Sequence, residues 1–547
     1  MDAVSRVPTP VNEPVLDYAP GSPERLDLDA ALADLSATPR DLPHVIDGRE
    51  VRGEGEPVEV RAPHDHELHL GTLRHATRQD ARAALEAARR AAPRWRALPY
   101  DERAAVFLRA AELLAGPWRA RLVAATMLGQ SKTSYQAEID AACELIDFWR
   151  FNVHFGRQVL AEQPVAHSRG VWNRSDHRPL EGFVYAITPF NFTAIAANLP
   201  TAPALMGNTV IWKPSPTQQL AASLTMELLA EAGLPPGVIT MLAGDGLEIS
   251  EELLEAPDLA GIHFTGSTAT FRHLWRTIGE RIDRYAAYPR LVGETGGKDF
   301  VLASPCADPA ALTTALVRGA FEYQGQKCSA ASRAYVPASL WSRIRDELAT
   351  TTEGLAVGDV RDHRNFMGAV IDRRAFERHR EVLEAAATDP GVEVVAGGTC
   401  DDSAGWFVRP TVLRIDDPAH PAFSTEYFGP LLAVHVYDDS DPDAVVETAA
   451  QLESVSPYAL TGAVFATDRH VVDDLTTRLR FAAGNFYVND KPTGAVVGQQ
   501  PFGGGRASGT NDKAGAVTNL LRWTSPRSIK ETFVPATRHR YPHMDPA

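Results

Sequence analysis

The chain has 547 residues, 44% of them hydrophobic and 23% charged, which is enough apolar material for a sizeable core and for more than one domain. Its 70 acidic and 54 basic residues leave a net charge of −16, which argues against nucleic acid or an anionic membrane as main partner and for a small-molecule substrate. Four cysteines, Cys143, Cys306, Cys328 and Cys400, are widely separated without a CxxC pair, so neither a disulfide framework nor a zinc cage is expected. Free thiols suit a reducing cytoplasm, the expected location.

Residues 1–42 are rich in Pro, Asp and Ala with weak periodicity, and are expected to form a surface-lying extension; no basic region followed by an apolar stretch marks a secretory signal. Three stretches then carry apolar residues at helical spacing, "RQDARAALEAARRAA", "DERAAVFLRAAELLA" and "YQAEIDAACELIDFWRF". The alternating His64, His66 and His69 of "HDHELH" raise a metal site, but His69 would point away from the other two, so a surface loop and no metal are expected. Gly182 to Trp212 is uncharged and long enough to span a bilayer. Pro189, Pro200 and Pro203 interrupt it, and Asn191, Asn198 and Asn208 need polar partners, so it reads as buried strand, loop, helix, strand. Short apolar runs alternate with helical segments from there through "LAGIHFTG", and a second such series runs from "KDFVLAS" to "FAAGNFYVND". This pattern predicts an α/β protein with parallel sheets and ligands at the carboxyl ends of strands.

Chemistry concentrates in a few motifs. Cys328 follows Lys327 and precedes small residues in "FEYQGQKCSAASR", where a cation and access would favour a nucleophilic thiolate over an inert buried thiol. Glu294 of "LVGETGGKDF" sits in a Gly-rich turn after a strand and is a candidate general base, the alternative being a solvated loop carboxylate. Asn191 ends the strand "FVYAI" and its amide could donate to an oxyanion, the alternative being an Asx-turn. Lys213 ends another strand and suits ribose or phosphate, while Gly266-Ser267-Thr268 starts a helix whose N–H groups suit a pyrophosphate or simply a cap.

In this order, "PFNF", "IWKPS", "FTGST", "LVGETGGKDF", "FEYQGQKCSAASR" and "EYFGP" resemble the NAD(P)-dependent aldehyde dehydrogenase superfamily, over about Pro43 to Thr532. The resemblance implies a Rossmann-type cofactor domain (43–160 and 184–292), an α/β catalytic domain (293–484), an oligomerisation hairpin (161–183 and 515–547), and a substrate-anchor loop returning to the cofactor domain (485–514). It implies that Cys328 attacks an aldehyde, that Asn191 and the Cys328 N–H hold the oxyanion, and that Glu294 activates the water that releases the acid. Lys213 is implied for the adenosine ribose, Gly266 and Ser267 for the pyrophosphate, Glu426 for the nicotinamide ribose and Phe428 for the nicotinamide end, with Ser215 and the Thr188 backbone also implied for the cofactor. The implied cofactor is NAD, with NADP less favoured, although Pro216 stands where many members carry a ribose-binding glutamate. Phe271 stands where a glycine is common.

Gly494 and Ala495 lie in a turn whose N–H groups could bind a carboxylate, Ser329 adds a hydroxyl, and Phe192 and Phe502 could flank an aliphatic stem. This set is similar to the branch of the superfamily that oxidises glutamate γ-semialdehyde in proline breakdown. A dehydrogenase of another short semialdehyde such as succinate semialdehyde, a thiol-dependent esterase or acyl transferase, and a non-catalytic relative are the alternatives. The resemblance implies a homo-oligomer, dimer or larger, and any proline dehydrogenase partner would be a separate chain.

Overall fold

The computed structural model describes residues 6–441 and 443–546. Two seven-stranded sheets organise the fold, and both are largely parallel. In the first, the order is Arg290–Glu294, Leu259–Thr265, Phe183–Ile187, Thr209–Lys213, Ile239–Met241, then His44–Ile46 and Arg49–Val51, which run antiparallel. In the second, Val392–Ala396 pairs antiparallel at one edge, followed by Thr411–Ile415, Leu431–Tyr437, Ala331–Pro337, Asp299–Ala303, Thr461–Phe465 and Asn485–Val488. Central strands such as Phe183–Ile187 and Leu259–Thr265 are almost wholly buried, which is why they read as continuous apolar runs: helices cover both faces. This is the α/β fold the sequence implied.

The uncharged stretch resolves into the strand Phe183–Ile187, the helix Thr193–Leu205 and the strand Thr209–Lys213, with Pro200 and Pro203 inside the helix. Among the described residues no helix is long and apolar enough to cross a membrane. Helix starts follow local chemistry: Thr77 and Asp80 form a capping box before Arg78–Ala97, and Asp308 accepts from Ala311 N before Pro309–Phe321.

Four expectations are corrected. Residues 6–42 do not simply lie on the surface: Pro23–Ala37 is a helix that buries Leu28, Leu32 and Leu35 in the main core, and Tyr18 is buried beside it. The short charged periods of "PERLDLDAALADL" hid three leucines spaced for one face. His64 is buried, its Nδ1 3.2 Å from Ser131 Oγ, because the turn that carries it is covered by Gly405. The strand Asn485–Val488 completes the edge of the second sheet beyond the expected boundary at 484, and Leu520 and Trp523 of the tail pack in the main core rather than in an oligomerisation segment. A helix at Arg119–Gln130 was not anticipated; nearly every residue in it is buried, so no polar face gave it a period. The antiparallel pair Val171–Pro179 with Thr524–Thr532 stands apart from both sheets and leaves Trp172 half exposed.

Topology delivers the site. Ile187, Lys213, Thr265 and Glu294 end neighbouring strands, with Ile187 opposite Lys213 and Thr265 opposite Glu294, so they line one carboxyl edge. Only residues 295–298 separate Glu294 from the first strand of the second sheet, where Asp299 pairs with Ala331. That register sets Gly296–Lys298 beside Cys328–Ala330, and the two sheets meet end to end at the junction.

Candidate active site

Cys328 is held by a turn of unusual backbone. Tyr323 and Gln324 both adopt left-handed conformations (φ 53° and 54°), which non-glycine residues take only when their surroundings enforce it. Buried amides enforce it here: Gln324 Nε2 donates to Ser131 O (2.8 Å) and Ala369 O (2.7 Å), and Gln326 Oε1 accepts from Ile371 N (2.9 Å). Asn191, also buried, donates from Nδ2 to Gln326 O at 3.0 Å, which brings its amide to within two residues of Cys328 along the chain.

Close packing explains the paired glycines of "ETGGK". A Cβ on Gly297 would lie 2.1 Å from Cys328 O, and one on Gly296 2.2 Å from Glu426 Oε2. Glu426 accepts from Gly297 N at 2.8 Å, and Cys328, Glu426, Phe428, Lys298 and Gly297 line one small cavity. Phe428 adopts a positive φ of 58° and meets Phe190 edge-on at 5.8 Å.

The cluster is electrostatically uncomfortable. Burial pushes the Cys328 thiol well above the usual range, and the negative charges of Asp299, Glu426 and Glu294 push the same way. Burial likewise raises Glu294, opposed by a bond from Gly504 N (3.3 Å) and by the charge of Lys513. Asp299 is raised by burial, and its neighbour Lys298 is lowered by burial to about 7. The expectation that Lys327 favours the thiolate is corrected: its Nζ pairs with Glu322 at 3.3 Å, and burial lowers its own pKa.

At the first sheet's edge, Lys213 is lowered to about 8 by burial, with Asp245 opposing. Thr188 is buried, its N–H on Lys213 O (3.1 Å) and its Oγ1 accepting from Trp212 Nε1 (2.9 Å). Ser215 Oγ lies 3.1 Å from Thr217 Oγ1, and Ser267 caps the helix Thr268–Glu280 by accepting from Thr270 N (3.2 Å). Gly266 precedes that cap, and Lys213, Gly266 and Ser267 stand at the carboxyl edge where a helix N-terminus favours an anion. Phe271, the departure from the common glycine, stacks on Phe264 at 5.4 Å and fills the space over Gly293, where a Cβ would meet its ring at 2.3 Å.

The substrate side is tied to the nucleophile directly. Ser329 is buried, with Oγ 2.8 Å from Thr493 Oγ1, one residue before Gly494. Gly494 has φ 94°, a conformation a side chain would strain, and Ala495 follows it half-buried. Phe192 meets Tyr323 edge-on at 6.5 Å, and the buried Lys132 ammonium lies 4.0 Å from the Phe192 ring centre and 4.3 Å from that of Tyr323. Phe502 pairs with Ala514 through both backbone bonds.

Sequence reasoning missed several participants. Lys132 pairs with the buried Asp140 at 2.6 Å, and Asp140 accepts from Thr193 N and Ala194 N, so the pair fixes the start of the helix that follows Asn191 and Phe192. Lys513 donates to Gly484 O, Gly503 O and Asn485 Oδ1, locking the C-terminal loop over Glu294. Lys513 lies in the glycine-rich stretch "GGGRASGTNDKAG", whose two basic residues, Arg506 and Lys513, were the readable signal. Among the described residues no group of three or more His, Cys, Asp or Glu is placed to hold a metal.

Comparison with known proteins places this geometry. The pattern of the Aldehyde dehydrogenase family matches residues 51–529. A probable delta-1-pyrroline-5-carboxylate dehydrogenase of Schizosaccharomyces pombe is 50% identical over 543 residues, 98% of each chain. The mitochondrial delta-1-pyrroline-5-carboxylate dehydrogenase of Dictyostelium discoideum is 48% identical over 544 residues, 99% of this chain and 97% of that protein. The crystal structure of the Mycobacterium tuberculosis delta-pyrroline-5-carboxylate dehydrogenase bound with NAD is 63% identical, superposes with a TM-score of 0.96 and covers both chains fully. The expectation of a cytoplasmic protein is corrected by the mitochondrial relatives: reduced thiols are compatible with that compartment too, so cysteine usage does not choose between them. With its family pattern spanning most of its length and both sheets meeting at Cys328, this chain belongs to the aldehyde dehydrogenase family.

Proposed function

We propose that the chain oxidises L-glutamate γ-semialdehyde, the ring-opened form of 1-pyrroline-5-carboxylate, to L-glutamate with NAD, the second step of proline degradation. The observation that carries the substrate is the Ser329–Thr493 contact, which joins the nucleophile's neighbour to the turn of Gly494 and Ala495. That turn offers backbone N–H groups to a carboxylate at the far end of a short aldehyde. Ser329 donates to the same end, and Phe192 and Phe502 flank the aliphatic stem.

The residues fit NAD: Lys213 at its strand end with Ser215 beside it takes the adenosine ribose, and the helix start at Gly266 and Ser267 takes the pyrophosphate. Glu426 takes the nicotinamide ribose, with Phe428 and the Thr188 backbone at the nicotinamide end. When bound, NAD supplies the hydride acceptor. Cys328, its thiol proton passed to water, adds its sulfur as thiolate to the aldehyde carbon, and the C=O pair moves onto oxygen to give the hemithioacetal oxyanion. The Asn191 amide and the Cys328 N–H donate to the developing oxyanion. Loss of hydride leaves a thioester on Cys328, and Glu294, as carboxylate, takes a proton from the water that cleaves it. Burial raises the pKa of both Cys328 and Glu294, so each gives up its proton less readily here than in water.

The pair Val171–Pro179 with Thr524–Thr532 serves a homo-oligomer, dimer or larger. Steady-state assays with pyrroline-5-carboxylate and with succinate semialdehyde, each with NAD and NADP, test the reading: the highest kcat/KM is expected for the first substrate with NAD. A higher value for succinate semialdehyde overturns the substrate.

A further inference from the structure

The segment around Asn12 is nearly the whole chain away from the anchor turn in sequence, yet it touches it. Asn12 Nδ2 donates to Val497 O at 2.8 Å and to Asp147 Oδ2 at 2.7 Å, and Gln499 Nε2 donates to Asn12 Oδ1 at 2.9 Å. Glu13 N donates to the other Asp147 oxygen at 2.8 Å. One small amide therefore bridges the loop carrying Gly494 and Ala495 to the helix Leu145–Ala161.

The rest of the segment is fastened with unusual thoroughness for a terminus. The Glu13 carboxylate pairs with Arg119 and Arg150, both at 2.6 Å, and Arg119 Nη2 donates to Pro14 O at 2.8 Å. Leu16 N and the buried Tyr18 hydroxyl donate to the two oxygens of Glu138, at 3.0 and 2.7 Å, and Glu138 itself is wholly buried against Arg119. Buried charges of this kind hold one geometry because any displacement leaves an ion without its partner. The loop, by contrast, is weakly held by its own structure. Gly494, Val496, Gly498, Gln499 and Gln500 are exposed, and its internal bonds are those of one turn, Gln499 N and Gln500 N to Val496 O and Val496 N to Gln500 Oε1. On the far side Gly498 sits so close to Phe151 that a Cβ would meet the ring at 2.1 Å, so the loop is pressed on the same helix that Asn12 grips through Asp147.

We propose that residues 12–18 are a strap that positions the substrate-anchor turn, and that Asn12 is the positioning residue at its tip, setting where the Gly494 and Ala495 N–H groups stand relative to Cys328. This rests on the reading of that turn as the carboxylate site. Asn12 touches neither substrate nor cofactor. Its effect falls on capture of an aldehyde that carries a distal carboxylate, because only such a substrate uses the turn, and it leaves hydride transfer alone.

The test compares pyrroline-5-carboxylate with propanal, which lacks the distal carboxylate, at saturating NAD in the full-length protein. Asn12→Ala should raise KM for the first substrate roughly five- to tenfold, the scale of one or two lost hydrogen bonds, with kcat within about twofold and kcat/KM for propanal unchanged. Gln499→Ala, which removes one contact to Asn12, should shift KM in the same direction by less, and adding it to Asn12→Ala should do little more. An equal fall on both aldehydes would reduce the strap to a general prop, and no change on either would remove its role. Gly494→Val separates the two readings. If it raises KM while Asn12→Ala does not, the strap alone fails; if it leaves KM unchanged, the anchor reading fails and the strap's function with it.

Discussion

The carboxyl edge of the first sheet and the turn that carries Cys328 meet at one junction but are held in opposite ways. At the edge, polar side chains are already engaged: Ser267 caps a helix, Thr188 accepts from Trp212, and the groups left for a ligand are backbone N–H at a helix start and Lys213. At the turn, titratable groups are crowded and desolvated: Cys328, Glu294, Asp299 and Glu426 are all raised, Lys298 and Lys327 lowered. The first region holds its hydroxyls in bonds of its own and, on the reading proposed above, takes NAD through backbone N–H at the helix start. The second carries a cost that substrate and cofactor relieve, which is where chemistry concentrates. Substitutions should therefore be severe at the turn and mild at the edge.

The largest effect falls on the thiol. Cys328→Ala should abolish aldehyde oxidation, a loss of at least about 10⁴-fold, while NAD titration by fluorescence gives an unchanged Kd. Residual turnover near the wild-type level would end the covalent mechanism. Next, Glu294→Gln should lower kcat by roughly 10²- to 10⁴-fold through slow thioester hydrolysis, with a pre-steady-state burst of NADH remaining. The sign of its pH dependence follows from burial: the base works as carboxylate, its pKa stands well above the ordinary carboxylate range, and so kcat should fall as pH drops through that raised value. In Glu294→Gln this acidic limb should vanish; an unchanged limb would assign it to another group. Asn191→Ala should cost about 10²- to 10³-fold in kcat, the scale of one oxyanion donor, and its bond to Gln326 O makes Asn191→Asp no rescue, since a carboxylate cannot donate there.

How much of this was legible in the sequence follows the same division. The strand ends at Lys213 and before Gly266 were readable because apolar runs stop there, and parallel sheets place such stops on one edge; the strand expected to stop short of Glu294 runs on to include it. Cys328, Glu294 and Asn191 were singled out from motif chemistry and now lie about one junction. Three things were not readable. Lys132 sits between the rings of Phe192 and Tyr323, which come from distant parts of the chain with most of the first sheet's strands between them, and contacts of that kind have no local period. Lys327 looked like the thiolate's cation by adjacency, but it lies in the bend before Cys328 and its ammonium found Glu322 instead. The placement of residues 12–18 depends on Arg119, Glu138 and Asp147, ion-pair and hydrogen-bond partners more than a hundred positions away.

The smallest effect is expected at the edge, and it decides whether that region binds through backbone. Ser267 Oγ accepts from Thr270 N, so Ser267→Gly removes a cap that glycine replaces at a cost of only a few tenths of a kcal/mol and leaves the Ser267 N–H in place, while the Gly266 N–H is held by Glu294 O. The Kd for NAD should change by less than about twofold, and the melting temperature by little more than about a degree. Ser267→Pro keeps the turn but deletes the N–H, and should weaken NAD by roughly tenfold, the worth of one charge-assisted bond to a pyrophosphate. If the glycine variant loses as much affinity as the proline variant, the hydroxyl itself donates to the cofactor while still accepting from Thr270 N, and the edge then binds through a side chain as well as through backbone.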